Sequence, residues 1–388
     1  MIEPLNADQL VEEAINQVSL DDFGGDSYRE GLDVLVRDYN SGLAKGWMNQ
    51  NGRDMTARDC VHYLTRRLLV EDYHKQHPEL AQGKIEKPVF VMGTTRTGTT
   101  LLSNLLATDP ARRSPLSWEI DDPVPPAEPG MTKTDPRALA AIKQHEEILK
   151  MAPGVAKYYR GSPIYPNECV FFMAHDFKTL MIESKGRLPE YREFIFNCDM
   201  TSAYAYHRKF LQVLQQHNGG VWNLKMPSHT LFLDYLMKEY PDARLVWTHR
   251  DPFTAVGSFC SLIRFAMSMS TDDPPLEWIA ENCVWQAAEH LYRAMDFREK
   301  YGWDLVIDVH YADMMNDPMG AVKKLCGELG DEFTPEAEEG LKAWVDDNPQ
   351  NKFGRHEYKL AEFGLSVDQL KPVFERYLSR FDVEPEGL

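Results

Sequence analysis

The chain has 388 residues, of which 43% are hydrophobic, so it is long enough to bury the core of one large α/β domain with additions. Its 42 Lys and Arg residues against 60 Asp and Glu residues give a formal net charge of −18. This balance argues against nucleic acid or an anionic membrane surface as a general partner. An anionic ligand would need positive side chains concentrated at its own site.

The cysteines and the first residues indicate the compartment. The cysteines are scattered and form no C-x-x-C motif, a pattern typical of free thiols in a reducing compartment; they are Cys60, Cys169, Cys198, Cys260, Cys283 and Cys326. The segment MIEPLNADQ lacks the basic start and apolar stretch of a signal peptide, and no apolar run is long enough to span a bilayer. We expect a soluble, cytoplasmic protein.

Residues 1–87 have the pattern of a separate helical region. Apolar residues recur at helical spacing from Leu10 to Val18, and Thr56 is a candidate cap for a helix that carries Val61, Leu64 and Leu68. The charged stretch HPELAQGKIEKP follows and ends the region. We therefore divide the chain into a helical region, 1–87, and a main α/β domain, 88–388.

The most informative segment is PVFVMGTTRTGTTLLSNLLAT, residues 88–108. A buried strand, Val89–Met92, stops at Gly93, and a helical pattern starts a few residues later, so backbone N–H groups and a helix N-terminus face an anion. The spacing from Gly93 to Gly98 is that of a phosphate-binding P-loop, but Thr99 stands where nucleoside triphosphatases have lysine. The cation is instead Arg96, which predicts a phosphate-like ligand at a loop that is not a standard ATP or GTP site.

Further strands are predicted at Val221–Lys225, Ala243–His249 and Leu305–His310, each followed by a turn and a helical pattern. Short apolar strands that alternate with helices predict an α/β fold, a central parallel sheet with helices on both faces. Ligands of such sheets bind at the carboxyl ends of the strands. The proline-dotted, aromatic stretch at about 110–220 is too long for a simple crossover, and we expect it to form the wall or lid of an acceptor pocket.

A second anion site is indicated by RLVWTHRDPFTAVGSF. Asp251 is a natural N-cap and Pro252 suits the first position of the following helix. Arg250 at the strand end and Ser258 two turns into the helix can reach one anion if the helix packs back across the strand end. Alone, this pattern is a moderate signal, because an arginine at a strand end often forms a surface ion pair instead.

Together the two segments resemble the sulfotransferases that use 3′-phosphoadenosine 5′-phosphosulfate (PAPS), and LKMPSHTLFLDYLMKEYPDARLVWTHRDP is similar to a bacterial branch of that family. The resemblance implies a P-loop-like sulfotransferase fold and a PAPS site whose product is 3′-phosphoadenosine 5′-phosphate (PAP). GTTRTGTT would bind the 5′-phosphosulfate through Thr95, Arg96, Thr97, Gly98, Thr99 and Thr100. Arg250 and Ser258 would bind the 3′-phosphate, and NPQNKFGRHEY, with Lys352 and Arg355, resembles the basic segment that closes over it.

The resemblance also suggests catalytic groups. Arg96 and Lys225 would supply positive charge to the departing phosphate oxygen. Two residues compete as the base that accepts the acceptor proton: Glu119, which we favour, and His229, whose spacing from Lys225 differs from the cytosolic branch. A sulfuryl group in transfer carries less charge than a phosphoryl group, so no metal is required, and no metal-ligand spacing is evident among the 12 histidines.

We therefore expect transfer of a sulfuryl group from PAPS to a hydroxyl of a small-molecule or lipid-like acceptor. The alternatives are a P-loop kinase or nucleotidase, which Thr99 disfavours, and a nucleotide-binding scaffold that has lost transfer activity. A scaffold has no need for the several cations that converge on one ligand. The identity of the acceptor and the possibility of homo-oligomers stay open at this point.

Overall fold

A computed structural model describes residues 2–151, 161–348, 359–383 and 385–386. Its centre is a five-stranded sheet in which all neighbouring strands are parallel, in the order β2-β3-β1-β4-β5. The strands are β1 (Val89–Gly93), β2 (Arg112–Arg113), β3 (Val221–Lys225), β4 (Arg244–His249) and β5 (Val306–His310). The predicted parallel α/β architecture is confirmed.

Helices make up most of the rest of the described chain. In chain order they are α1 (Ala7–Val18), α2 (Ser27–Ala44), α3 (Gln50–Gln76), α4 (Thr99–Leu106), α5 (Ser117–Asp121), α6 (Pro136–Met151), α7 (Cys169–Met173), α8 (Leu180–Glu183), α9 (Pro189–Asn197), α10 (Thr201–Leu214), α11 (Leu233–Glu239), α12 (Pro252–Met267), α13 (Leu276–Tyr301), α14 (Tyr311–Asn316), α15 (Pro318–Leu329), α16 (Pro335–Asp347) and α17 (Val367–Arg380). Short 3₁₀ helices include Pro227–Leu231, which follows β3.

Helices cover both faces of the sheet, as the apolar strands require. Successive side chains of a strand point to opposite faces, and in β1 Val89 and Val91 pack with α4, α15 and α16. Phe90 and Met92 pack into a larger core that includes α10 and α13. Because every residue of β1 is buried, this strand is a central element and its end can position a loop rigidly.

The register of β1 with its two neighbours decides what lies beside the loop that follows. Val91 is aligned with Lys225 at the end of β3, and Gly93 is aligned with Thr248 near the end of β4. The carboxyl ends of three parallel strands therefore meet around residues 94–98. Ligands of open α/β sheets bind at such a place, where connections leave neighbouring strands in opposite directions.

The N-terminal helices share the main core. Leu32 of α2 and Leu64 of α3 belong to the same apolar cluster as Phe90. Arg67 of α3 forms a buried ion pair of 2.8 Å with Asp176. The helical character of residues 1–87 is confirmed, but the cap prediction for Thr56 is wrong: α3 begins at Gln50, and the side chain of Asn49 accepts the capping hydrogen bond from Gly52.

Two helices begin at side-chain caps, and the one at Asp251 was predicted from the sequence. Asp251 accepts a hydrogen bond of 3.0 Å from the amide of Phe253, and Pro252 is the first residue of α12. Ser366 caps α17 by accepting from the amide of Gln369. Since α12 begins directly after β4, its cap fixes where the side chains of Arg250 and Ser258 can reach.

Candidate active site

The loop between β1 and α4 is held tightly against β4. A Cβ atom on Gly93 would lie 2.5 Å from Oγ1 of Thr248 and 2.7 Å from Oγ1 of Thr97, so only glycine fits there. Oγ1 of Thr97 lies 2.7 Å from the carbonyl oxygen of Thr94 and 2.7 Å from Oγ1 of Thr248. Gly98 has φ +93 before α4, a conformation that glycine adopts without strain. The first N–H groups of α4 thus face the space above the sheet, which suits an anion.

Arg96 lies at the centre of this loop. Its backbone has φ +76, an uncommon conformation for a residue other than glycine. Two contacts hold it: Nε donates to Oγ of Ser258 at 2.9 Å, and the carbonyl oxygen accepts from Nη1 of Arg250 at 2.9 Å. The structure therefore brings together Arg96, Arg250 and Ser258. Sequence analysis had assigned Arg96 to the 5′-phosphosulfate of the ligand and the other two residues to its 3′-phosphate.

Lys225 places an ammonium group beside the loop, which has threonine at position 99 where nucleoside triphosphatases have lysine. It ends β3, beside β1, and its Nζ atom donates to Oγ1 of Thr100 at 3.2 Å. The same ammonium forms an ion pair with the carboxylate of Glu168, which is 28% exposed. No local pattern in the sequence distinguishes Glu168, because its relation to Lys225 depends on the long segment that separates them.

Arg250 is also paired with an acid from the C-terminal end of the chain. Its Nε and Nη2 atoms donate to the two carboxylate oxygens of Glu386, each at 2.6 Å. The guanidinium carbon lies 4.2 Å from the centre of the Tyr311 ring. A guanidinium held by a planar carboxylate has the donor geometry that also binds a phosphate.

Both residues proposed as the base from sequence lie away from the cavity. Glu119 is 1% exposed, pairs with Arg113 and accepts from the amide of Leu116 at 3.0 Å, so it caps α5 from inside the core. Burial raises the pKa of Glu119, and Arg113 opposes that rise. His229 is fully buried, its Nδ1 atom lies 2.8 Å from the hydroxyl of Tyr204, and burial lowers its pKa well below the usual range. The structure brings neither residue to the loop.

A cavity of about 2020 Å³ opens above the loop and the strand ends. Its polar floor includes Arg96, Thr100, Lys225 and Arg250, together with Glu168. Its wall is largely apolar and comes from α7, α8 and α12; it includes Val170, Phe171, Leu180, Met181, Phe259, Leu262 and Ile263. The segment at about 110–220 contributes to this wall.

One wall residue is a buried acid. Glu183, which ends α8, is 1% exposed, and its carboxylate oxygens accept from Asn282 at 2.8 Å and from Gln286 at 3.0 Å. Burial raises the pKa of Glu183 to about 7 in spite of these hydrogen bonds. Lys352 and Arg355, predicted to close over the 3′-phosphate, lie outside the described residues.

A parallel sheet, a P-loop-type turn without the usual lysine, and cations at the ends of both neighbouring strands define a P-loop-type α/β protein whose cationic side chains meet at the end of β1. The chain belongs to the sulfotransferase family, whose sequence model matches residues 88–335. It is therefore an enzyme that transfers a sulfuryl group to an acceptor.

Mycobacterial sulfotransferases share the whole architecture. Sulfotransferase STF9 from Mycobacterium avium has 36% identity and a TM-score of 0.91, over 99% of this chain and 98% of that one. STF1 from Mycobacterium tuberculosis H37Rv has 29% identity and a TM-score of 0.85, over 96% and 99%. The omega-hydroxy-beta-dihydromenaquinone-9 sulfotransferase Stf3 of Mycobacterium bovis is 21% identical over 319 residues, 78% of each chain. Among the described residues of the present chain, no helix is long and apolar enough to cross a membrane.

Proposed function

We propose that the sulfuryl donor is PAPS and that it binds across the loop of residues 94–100. The observation that carries this proposal is that two cations from the strands beside β1 contact the same loop at different points. Lys225 contacts the side chain of Thr100, and Arg250 contacts the carbonyl of Arg96. One anionic ligand with two separate charged groups fits this arrangement, and a nucleotide that carries both a 5′-phosphosulfate and a 3′-phosphate has that form.

Each group at the loop has a proposed part in recognition. Backbone N–H groups of Thr95, Gly98, Thr99 and Thr100 would bind the 5′-phosphosulfate together with Arg96, because they surround the N-terminus of α4. Thr97, whose N–H donates to the carbonyl of Thr94, would hold the shape of the loop. Arg250 and Ser258 would bind the 3′-phosphate. The contact between Arg96 and Ser258, 2.9 Å, supports a ligand that is continuous between the two subsites.

The transfer step needs a base, positive charge beside the leaving group, and a site from which water is excluded. A bond forms between the acceptor oxygen and sulfur while the bond between sulfur and the bridging phosphate oxygen breaks, and the acceptor proton passes to a base. Lys225 and Arg96 would stabilise the charge that grows on the departing oxygen. The apolar wall would exclude water, so that the acceptor hydroxyl is the nucleophile that reaches the sulfur.

We propose Glu168 as the base in place of Glu119 and His229. Its carboxylate lines the cavity and contacts Lys225, the cation expected to meet the leaving group. An acceptor hydroxyl above Lys225 would therefore lie within hydrogen-bond reach of Glu168, the first requirement of a general base. Glu119 is committed to Arg113 and to the amide of Leu116.

The acceptor we propose is a lipid-like alcohol. Small-molecule pockets commonly have ~300–1,000 Å³, and the cavity of about 2020 Å³ has room for a nucleotide and a long acceptor together. Its apolar wall would bind hydrocarbon. The name of the Mycobacterium bovis relative specifies a hydroxylated dihydromenaquinone as acceptor, which agrees with such a wall.

The donor is tested by calorimetric titration with PAP, adenosine 5′-phosphate and ATP, each with and without Mg²⁺. We expect PAP to bind best and without metal. Arg250→Ala should weaken PAP by ~10–100-fold, as loss of a charge-assisted hydrogen bond of ~1.5–3 kcal/mol implies, and should change adenosine 5′-phosphate little. Arg264→Ala, at an arginine of α12 that pairs with Glu362, is the control. Equal losses for the two nucleotides, or a preference for ATP, would contradict the proposal.

The acceptor class is tested separately, with radiolabelled PAPS and matched pairs of alcohols. We expect kcat/KM to rise with apolar chain length among primary alcohols, and to fall when Phe171→Asp introduces charge into the wall. Transfer to short phenols with no dependence on chain length would exclude a lipid-like acceptor while leaving the donor proposal intact.

We also propose a cytoplasmic location. All six cysteines are free thiols, and five of them are buried. Cys260 and Cys283 are in side-chain contact yet unlinked, as in a reducing compartment. Thiol titration of the denatured protein, isolated from its cell under acid quench, should find all six unmodified.

A further inference from the structure

A second group of polar side chains lies inside the protein, behind the cavity. Cys169 begins α7, His207 lies in α10, and His229 lies in the 3₁₀ helix after β3. All three side chains are buried, with 0% exposure. The Cys169 sulfur and one ring nitrogen of each histidine lie within 4.8 Å of one another. Three unconnected elements thus bring a thiol and two imidazoles to one point.

The two imidazoles are held in the same way. Nδ1 of His207 lies 2.6 Å from the hydroxyl of Tyr240, and Nδ1 of His229 lies 2.8 Å from the hydroxyl of Tyr204. The other nitrogen of each ring, Nε2, has no hydrogen-bond partner among the described residues. A buried polar group without a hydrogen bond is unfavourable, so two such atoms in one cluster point to a missing partner.

The donor atoms suit a metal ion as that partner. Because a tyrosine hydroxyl lies at Nδ1 of each ring, Nε2 is the nitrogen of each histidine that can present a lone pair to an ion. A bound cation would supply the positive charge that the thiolate needs in this apolar setting.

The surroundings of the cluster are those of a closed site. The ring of Phe90 lies 4.9 Å from that of His229, and the ring of Phe172 lies 4.9 Å from that of His207. The tyrosine hydroxyls occupy the position beside a ligating histidine where proteins place a group that fixes ring orientation. A thiolate with two imidazoles is a donor set for Zn²⁺, and it suits neither Mg²⁺ nor Ca²⁺, which prefer oxygen.

We propose that Cys169, His207 and His229 bind one Zn²⁺ ion, with the sulfur and the two Nε2 atoms as ligands and a water molecule in the fourth position. On binding, the S–H bond of Cys169 breaks, a sulfur–zinc bond forms, and one proton passes to solvent. The nitrogens Nδ1 then donate to the tyrosine oxygens. Because the site is buried and separate from the cavity, the ion has a structural role.

A zinc ion at this place would also affect the active site, because its ligand Cys169 adjoins Glu168 and Lys225. Cys169 follows Glu168 directly, and the N–H of Lys225 contacts its sulfur. A metal at this point would tie α7 to the end of β3 and α10, and so would fix the distance between Glu168 and Lys225. The proposal does not depend on the identity of the donor or acceptor.

The test uses the full chain without a polyhistidine tag. After incubation with Zn²⁺ and removal of loosely held metal, we expect one zinc per chain by mass spectrometry of the metal content. X-ray absorption should show one sulfur at ~2.3 Å and nitrogens at ~2.0–2.1 Å. Co²⁺ in place of zinc should give a thiolate-to-cobalt charge-transfer band. A folded wild-type protein that retains no zinc, or whose zinc has no sulfur neighbour, would overturn the proposal.

Variants separate a specific site from chance binding. Cys169→Ser should abolish the cobalt charge-transfer band, and Tyr204→Phe should weaken zinc by ~10–100-fold, as loss of a group that orients a ligand does. Cys326→Ser, at a buried free cysteine in the core beside α4, is the matched control and should keep one zinc. If Cys169→Ser folds and still binds zinc like the control, the assignment fails. If it does not fold, the absorption spectrum of the wild type decides.

Discussion

Glu386 holds the guanidinium of Arg250 by two hydrogen bonds of 2.6 Å each. The amide of Glu386 in turn donates to Oδ2 of Asp251 at 3.1 Å, which anchors this residue of the C-terminal segment beside α12. Arg250 is the residue proposed to bind the 3′-phosphate. A carboxylate therefore occupies donors that the phosphate would need, and under this proposal Glu386 would have to leave before the nucleotide binds.

We predict that Glu386→Gln tightens PAP binding. An ion pair in contact with solvent contributes ~0–1 kcal/mol, so its loss should strengthen binding by up to about fivefold. The gain should be largest at low salt. Adenosine 5′-phosphate, which lacks the 3′-phosphate, should bind the variant and the wild type equally. The measurement is calorimetric titration, with Glu375→Gln on the exposed face of α17 as the control. Unchanged or weaker PAP binding would show that Glu386 does not compete with the nucleotide.

We predict that Arg96→Met and Lys225→Met act mainly on turnover. Both cations adjoin the loop that we propose binds the donor, where charge would develop on the departing oxygen, and removal of one such contact typically costs ~2.7–4 kcal/mol, or ~10²–10³ in kcat. The KM for PAPS should change much less. Steady-state kinetics measure both constants, with Lys324→Met on exposed α15 as the control. A variant with normal kcat and a raised KM would make that residue a ligand of the ground state only.

Local sequence patterns predicted the elements that build the site. The bounds of β3 coincide with the predicted Val221–Lys225, and the cap at Asp251 was predicted from the residues beside it. These features depend on side chains only a few positions apart, so periodicity and capping rules detect them. Strand β2, Arg112–Arg113, carries no apolar pattern and was not predicted.

Contacts between distant parts of the chain could not be predicted in this way. The pairs Lys225 with Glu168 and Arg250 with Glu386 form only after the sheet and its long connections have folded. Glu119 shows the converse error. The resemblance favoured it as the base, which requires a place in the pocket, but its ion pair with Arg113 of β2 holds it in the core. Which neighbour a carboxylate finds is decided by tertiary structure.

We predict opposite results for the two glutamates. Glu168→Gln removes a proton acceptor from the cavity and should cut kcat of the folded protein by ~10²–10⁴, the usual contribution of a general base. It also leaves Lys225, which is buried, without its charge partner, so a loss of stability accompanies the loss of turnover. Glu119→Gln leaves Arg113 buried without its charge partner and should lower the free energy of unfolding by ~3–5 kcal/mol, with turnover of the folded fraction nearly intact. Single-turnover kinetics and urea denaturation measure the two effects. If Glu119→Gln folds normally and loses turnover, it is the base and Glu168 is not.

The buried acid in the cavity wall should make stability depend on pH. Burial raises the pKa of Glu183 to about 7, against ~4.3 for an exposed glutamate. Between these values the folded protein keeps a proton that the unfolded chain releases, so the free energy of unfolding falls as pH rises through this window. The decline ends once pH exceeds the folded pKa.

We predict that Glu183→Gln removes this decline. From about pH 5.5 to about pH 8 the wild type should lose on the order of 2 kcal/mol of stability through this group, and the variant should lose none of that portion. Urea denaturation across the range measures the difference between the two curves, which cancels the groups they share. Glu190→Gln, at an exposed position of α9 that pairs with Arg37, should run parallel to the wild type. If the Glu183→Gln curve also runs parallel to the wild type, Glu183 is ionised throughout, and the cavity wall carries a permanent negative charge that a lipid-like acceptor would have to pass.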